Sequence, residues 1–182
     1  MSQEIDLRYP IGKAAEQSYA GKEYNEDLKN SLIANIQDCP DLLESAVLNL
    51  DEHQLNTQYR EGGWTAKQVV HHVADSHINA YIRFKLGLTE DNPAIKPYDE
   101  GAWANLSDTK NLPINISLTL LHALHLRWVE ILKNMTEDDW QRTVFHPEYK
   151  RTMTLWSFLA IYAWHGKHHA AHITNLRERM GW

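Results

Sequence analysis

The last 29 residues constrain this chain most. Thr154–Trp182 reads TLWSFLAIYAWHGKHHAAHITNLRERMGW, with Phe158, Tyr162, His165, His169, His172 and Leu176 at steps of three and four. A helix brings such positions onto one face. Two imidazoles four apart within an otherwise apolar stripe give the spacing a divalent cation needs from a single helix. His168 and His172 repeat that spacing about a hundred degrees round the helix from His169. They form the rival pair; His172 could instead line a pocket or support a ligand.

A second stretch, GGWTAKQVVHHVADSH at positions 62–77, supplies a third imidazole. Thr65 with Gln68 forms a capping box. On the helix that follows, Val69, His72, Val73, Ser76 and Ala80 share one side. His71 points a quarter turn away, so His72 is the inward member of the pair. One histidine from this helix and two from the last make a three-imidazole site with open positions, the mark of a catalytic rather than a structural metal centre. His53, His71, His77 and His146 read as surface or packing residues. Asp75 is either an acceptor that orients a ligand ring or a solvated charge.

The remaining helices follow from the same periodicity. Leu28, Leu32, Ile36, Cys39, Leu43, Val47 and Leu50 predict a first helix over 25–50, kinked or split at Pro40, which lacks a backbone donor. The His72 helix is predicted to stop at Gly87. Leu121, Leu124, Trp128, Leu132 and Met135 mark a third helix from about Asn115 to Met135, with His125 able to approach the core. Residues 142–154 suggest a small hairpin. Stripe positions of the first and third helices match at a constant offset, Ile36 with Leu121 and Leu43 with Trp128, and LDEHQL at 50–55 matches MTEDDW at 135–140. Two helix pairs therefore build an all-α four-helix bundle, expected as a single domain over 1–182 with an irregular arm over 1–22, packed outside the bundle or on a neighbouring subunit. The segment 87–114, punctuated by Pro93, Pro97, Gly101 and Pro113, is long enough to be functional, or to act as a crossover that lets its flanking helices run parallel. Arg83 and the loop residues Tyr98, Asp99, Glu100 and Trp103 either line the site mouth or pack as an ordinary loop. Trp64 reads as a staple against the bundle.

Composition narrows the function classes. The net charge is −6 and Lys and Arg form no long run, which speaks against non-specific nucleic-acid binding. No stretch of about 18 apolar residues exists to span a membrane, and no apolar signal core opens the chain. One cysteine, Cys39, placed on the core stripe, precludes an internal disulfide and suits a reducing, cytoplasmic compartment.

The motifs GGWTAKQVVHHVADSH, AYIRFKLGLTEDNPAIKPYDEGAW (80–103) and YAWHGKHHAAHI (162–173) resemble the DinB superfamily, and within it the YfiT-like branch of metal-dependent hydrolases and bacillithiol transferases. The likeness runs from LRYPIG near the start to RMGW at the end. It implies an up-down-down-up bundle and one divalent metal, zinc or nickel, held by His72, His165 and His169. It also implies a small-molecule substrate and a homodimer. Two reactions come with it: transfer of a bacillithiol thiolate to a small electrophile, or hydrolysis by a metal-bound hydroxide. A non-catalytic metal scaffold or sensor is a further alternative. In HExxH proteases a glutamate follows the first histidine; here Gly166 does. The motif thus lacks a general base, which matters less for a thiol, whose ionisation lies near neutrality. Thiol transfer is the preferred expectation.

Overall fold

The computed structural model describes residues 6–182; the first five residues of the expected arm lie outside the described residues. Helices occur in the order α1 (Glu26–Gln37), α2 (Cys39–Val47), α3 (Glu52–Leu55), α4 (Ala66–Thr89), α5 (Glu100–Trp103), α6 (Ser107–Asn111), α7 (Ile114–Lys133), α8 (Glu137–Gln141) and α9 (Leu155–Met180), with a hairpin β1 (Thr143–His146) and β2 (Arg151–Thr154) before the last. Four rods form the bundle: the broken rod α1–α2, then α4, α7 and α9. Pro40 in the first turn of α2 is where the first rod breaks.

Directions follow from side-chain partners. His71 meets Ser117, His77 meets His125 and Phe84 meets Trp128, so α4 and α7 rise together. His72 meets His169, and Gly87 lies against Leu155, so α4 and α9 are antiparallel. Gln37 bonds to Lys133 and Glu44 to His122, so the first rod opposes α7. Gly166 lies against Cys39, and Arg177 donates to the Ala46 carbonyl, so α9 runs with the first rod. The order is up-down-down-up. Segment 90–113 is the crossover that makes α4 and α7 parallel, and it contains the short helices α5 and α6.

The internal repeat is visible in the caps. Asp51 and Thr136 each open a short helix through a capping box, and Thr65 and Thr154 cap the long helices that follow. Between them the first half makes a single antiparallel bridge, Gln58 with Thr65, where the second half extends to the hairpin pairing Thr143 with Thr154. The crossover docks on that hairpin: Ile95 N–H donates to the Phe145 carbonyl at 3.0 Å and Phe145 N–H to the Pro93 carbonyl at 2.9 Å.

Two expectations need correction. Helix α4 does not stop at Gly87 but continues to Thr89, and Arg142 then covers its end, donating to the carbonyls of Gly87 at 2.7 Å and Glu90 at 2.9 Å. Gly87 is needed for packing: a Cβ there would lie 2.8 Å from Leu155 Cδ2 and 3.1 Å from Val144 Cγ1. In α7 the core face is rotated, with His125 buried and Leu124 half-buried. The arm from Asp6 to Tyr24 lies along its own α9, where Trp156 Nε1 donates to the Lys22 carbonyl at 2.7 Å and Trp164 Nε1 to that of Gly12 at 3.1 Å. No helix among the described residues is long and apolar enough to cross a membrane.

The core has two apolar parts. One surrounds Phe84, Trp128, Trp140, Phe158 and Tyr162; the other surrounds Leu43, Val69, Val73, Leu121 and Ile173. Between them lies a layer of histidines.

Candidate metal centre

Helix periodicity places His165 and His169 one turn apart on α9, opposite His72 of α4. Their ring centroids are 4.4 Å apart on α9, and His72 lies 5.4 Å from His165 and 4.7 Å from His169. One nitrogen from each ring falls within 4.8 Å of the other two. The three rings named from the sequence are therefore brought together.

Burial keeps these rings neutral. It holds His165 and His169 well below the usual imidazole range, with neighbouring imidazoles adding to the effect. His72 is pushed down to about 4 by burial, then by His172. Lone pairs are thus available for coordination at neutral pH. His169 Nδ1 is buried with no hydrogen-bond partner. Three neutral imidazoles, one with an unsatisfied buried nitrogen, fit a divalent cation of the borderline kind that imidazole prefers.

The rival pair is arranged differently. His168 stacks on Trp164 at 4.1 Å and His172 on Tyr59 at 4.0 Å, and His172 Nε2 faces the Arg8 carbonyl at 3.3 Å. With His169 they form another cluster whose nitrogens could hold a cation, but its third member is already part of the first triad. A third cluster, Cys39, His77 and His125, is disfavoured as a metal site. Its imidazoles are hydrogen-bonded, and burial pushes the Cys39 thiol up to about 12.

Two cavities of about 650 Å³ each open on the site, meeting at His165, Glu100 and Tyr149. One has Ser76, Arg83, Tyr98 and His146 in its wall; the other has Arg60, Trp64, His72 and His172. Arg83 donates to Tyr162 Oη at 2.8 Å and to the Lys96 carbonyl at 3.3 Å, which ties the crossover to the bundle. Burial pushes the Tyr98 phenol up to about 12, so it remains a donor. Ser76 Oγ lies 3.4 Å from His165 Nε2.

Asp75 is pushed up to about 6 by burial and by Asp108, and it makes no hydrogen bond to the three rings among the described residues. The partner of His165 is instead His77, read from the sequence as surface or packing, whose Nε2 lies 3.1 Å from His165 Nδ1. A signal for it existed: His77 shares a helical stripe with Val73, Ala80 and Phe84. His146 lines a cavity and stacks on Tyr149 at 4.1 Å. Trp64 does pack on the bundle, but its indole also lies 4.5 Å from the His72 ring. It stands outside any helix, so periodicity could not orient it. His71 packs against α7, with Nδ1 2.7 Å from Ser117 Oγ.

Fold and site together define a four-helix-bundle protein whose inward-facing histidines form a cluster that could hold a metal ion. The chain belongs to the DinB superfamily, whose family model matches residues 35–173. A Bacillus mycoides (strain KBAB4) protein named "Putative metal-dependent hydrolase" is 51% identical over 177 residues, covering 97% of this chain and 99% of the relative. A Bacillus cereus (strain 03BB102) protein of the same name is 50% identical over the same length. Among solved structures, YfiT from Bacillus subtilis, described as "a probable metal-dependent hydrolase with an unusual four-helix bundle topology", superposes with a TM-score of 0.92 at 46% identity, covering 98% of this chain and 99% of that one.

Proposed function

We propose that His72, His165 and His169 hold one divalent cation, zinc or nickel, and that the chain is an enzyme transferring a small thiol, bacillithiol in the first instance, to a small electrophile. The observation that carries the reading is the pair of cavities meeting at one of these rings. A transfer between two substrates needs room on two sides of one activating centre. When bound, the cation would supply a Lewis acid that lowers the pKa of a thiol or water brought to it.

The chain's own residues do the rest. Arg60 lines one cavity, and its Nε has no hydrogen-bond partner, which suits a thiol carrying carboxylates. Arg83, Tyr98 and Ser76 present donors in the other cavity, where the electrophile and its departing group would lie. Trp64 packs its indole beside the His72 ring on the wall of the Arg60 cavity, giving that side an apolar surface.

A hydrolase is the second reading, favoured by the relatives' names and by Glu100. This residue is exposed overall, but desolvation of its carboxyl at the cavity rim raises its pKa, and Glu148 and Asp99 raise it further. It could take a proton from water, the task for which the histidine motif has no base.

The test uses protein made without a histidine tag, loaded with zinc or nickel. One metal per chain is expected, lost in His169→Ala and kept in His172→Ala; full retention in His169→Ala would refute the ligand set. Metal-dependent consumption of a chromogenic electrophile with bacillithiol supports transfer, and a rate no higher than the metal-free control refutes it. Ester cleavage without thiol, abolished in Glu100→Gln, would establish the hydrolase instead.

A further inference from the structure

Beneath the histidine triad, three buried imidazoles and one backbone carbonyl stand in a row. His165 Nδ1 is 3.1 Å from His77 Nε2, His77 Nδ1 is 2.8 Å from His125 Nε2, and His125 Nδ1 is 2.6 Å from the Ile36 carbonyl oxygen. The row crosses the bundle from α9 through α4 and α7 to the first rod. The far end fixes its polarity, because a carbonyl can only accept.

His125 must therefore carry its proton on Nδ1. In a neutral ring the other nitrogen is then a bare acceptor. His77 must donate to it from Nδ1, which leaves His77 Nε2 bare. His165 must in turn donate from Nδ1, which leaves its Nε2 as a lone pair. One tautomer at each ring satisfies all three contacts. Burial favours the neutral rings this requires, since His77 is 0% exposed and His125 2%.

The carbonyl lacks the usual partner four residues on for a reason written in the sequence, and among the described residues the only backbone N–H turned to it is the one Asp38 shares between it and the Ala34 carbonyl. In a continuous helix the Ile36 carbonyl would accept from the backbone four residues on, and that residue is Pro40, which has no N–H. The break between α1 and α2 thus does more than turn the rod. It leaves an acceptor facing α7, where His125 can reach it.

We propose that His77 and His125 are positioning residues that lock His165 in the Nδ1–H tautomer, so that its Nε2 lone pair is presented to the cation, with the Ile36 carbonyl released by Pro40 as the fixed end of the chain. This rests on the ligand role given to His165 above. Neither His77 nor His125 coordinates the cation. A carboxylate or carbonyl usually orients a metal-bound imidazole directly; here the carbonyl acts through two intervening rings. Neutral histidine in water favours the opposite tautomer, with the proton on Nε2, so three Nδ1–H rings in a row are diagnostic.

The test begins with the intact, metal-free, 15N-labelled protein, in which long-range proton–nitrogen correlation spectra report the tautomer of each ring. Nδ1–H at His165, His77 and His125 is the expected result; Nε2–H at His165 overturns the proposal without reference to any metal. Two variants extend it. His77→Phe keeps bulk and removes the acceptor, so His165 should become a mixture of tautomers and zinc affinity, measured by competition with a chelator, should fall about 10- to 100-fold. His77→Gln, which can accept from His165 and donate to His125, should recover most of that loss. A purely structural role for His77 would show unchanged affinity or no difference between Phe and Gln, and either result refutes it. Unchanged zinc affinity in His165→Ala, alongside the expected wild-type tautomers, would mean that the ligand set has failed while the hydrogen-bonded chain stands.

Discussion

Gly166 lies inside the HxxxH motif, and its neighbours explain why no larger residue follows His165. A Cβ at this position would fall within the contact distance of Cys39 Sγ, with Cys39 Cβ at 3.1 Å and His77 Cε1 at 3.7 Å. Cys39 is 2% exposed at the start of α2, so its sulfur has little room to withdraw. In Gly166→Ala two effects compete. Alanine is favoured over glycine in a helix interior by about 1 kcal/mol. Overpacking a close-packed core costs about 1–3 kcal/mol. The net expectation is a loss of roughly 0–2 kcal/mol, too small a window to decide anything alone. A double-mutant cycle separates the terms. In a Cys39→Ala background the sulfur is gone and the 3.1 Å contact needs a shift of only a few tenths of an ångström, so the helix preference should re-emerge. The coupling between the two sites should then be about 1–3 kcal/mol, with the double variant more stable than the single changes imply. Urea unfolding of the metal-free protein is the assay, because bound metal would add a linkage contribution to each variant. Zinc affinity should weaken in Gly166→Ala, as α9 is pushed from α2 beside His165, and recover in the double variant. Additivity within about 0.5 kcal/mol would refute the packing argument. The same geometry says that a glutamate after His165 would point at α2 and not into a cavity, so the position cannot host a protease-type base.

Other expectations follow from the site. Zinc held at a hundred times its dissociation constant should stabilise the protein by about 2.7 kcal/mol, or roughly 5–10 °C in Tm by thermal scan, and the gain should be absent in His169→Ala. Burial lowers His125 to about 4; the unfolded chain therefore binds more protons below about 6.5, so this ring's contribution is complete above about 6.5 and lost as pH falls toward 4. In urea titrations of the metal-free protein His125 should account for about 3 kcal/mol of the loss over that window, read as the difference between wild type and His125→Asn, since the lowered rings of His72, His165 and His169 contribute their own losses to both. Arg83→Met should raise KM for an electrophile bearing an anionic or strongly polar group at least about tenfold, with Arg83→Lys a poor rescue, in steady-state assays. An unchanged KM in both variants would remove Arg83 from substrate binding.

What could be read from the sequence divides along a physical line. Features governed by one helix's own period were legible: His165 beside His169, and the caps at Thr65 and Thr154; the quarter turn between His71 and His72 was legible too, but both rings are buried, His72 facing α9 and His71 facing α7. The repeat also showed through, because matching caps and stripes are local features. What depends on how separate helices are placed was not legible. His77 sits five residues after His72, and its contact with His165 and His125 requires α4 to touch α9 and α7 at one level. Nothing in a single helical period sets that level. Gly87 misled for the same reason: a glycine near a helix end usually marks the stop, but here Leu155 and Val144 demand the missing Cβ. Trp64, in a loop, and His146, on a hairpin strand, have no helical phase to read.

The internal repeat also bears on where chemistry resides. Both halves are built alike, a rod, a capped short helix, a bridge and a threonine-capped rod, and the bundle they form supplies the rings of the triad from its two threonine-capped rods. Besides the break in the first rod, which α7 lacks, two departures from the shared plan end at the cavities. The second half widens the single Gln58–Thr65 bridge into a hairpin, which brings His146, Tyr149 and Met153 to the cavity wall. The link between halves is the crossover, which brings Tyr98, Asp99 and Glu100 and is pinned to that hairpin through Ile95 and Phe145. A cation held on the rods needs rigid ligands, and substrate selection needs walls that can vary without disturbing them. If this division holds, altering the 98–100 segment should change which electrophile is accepted while leaving zinc affinity intact. Changes at His77 should do the reverse, weakening the metal without altering the order in which substrates are preferred.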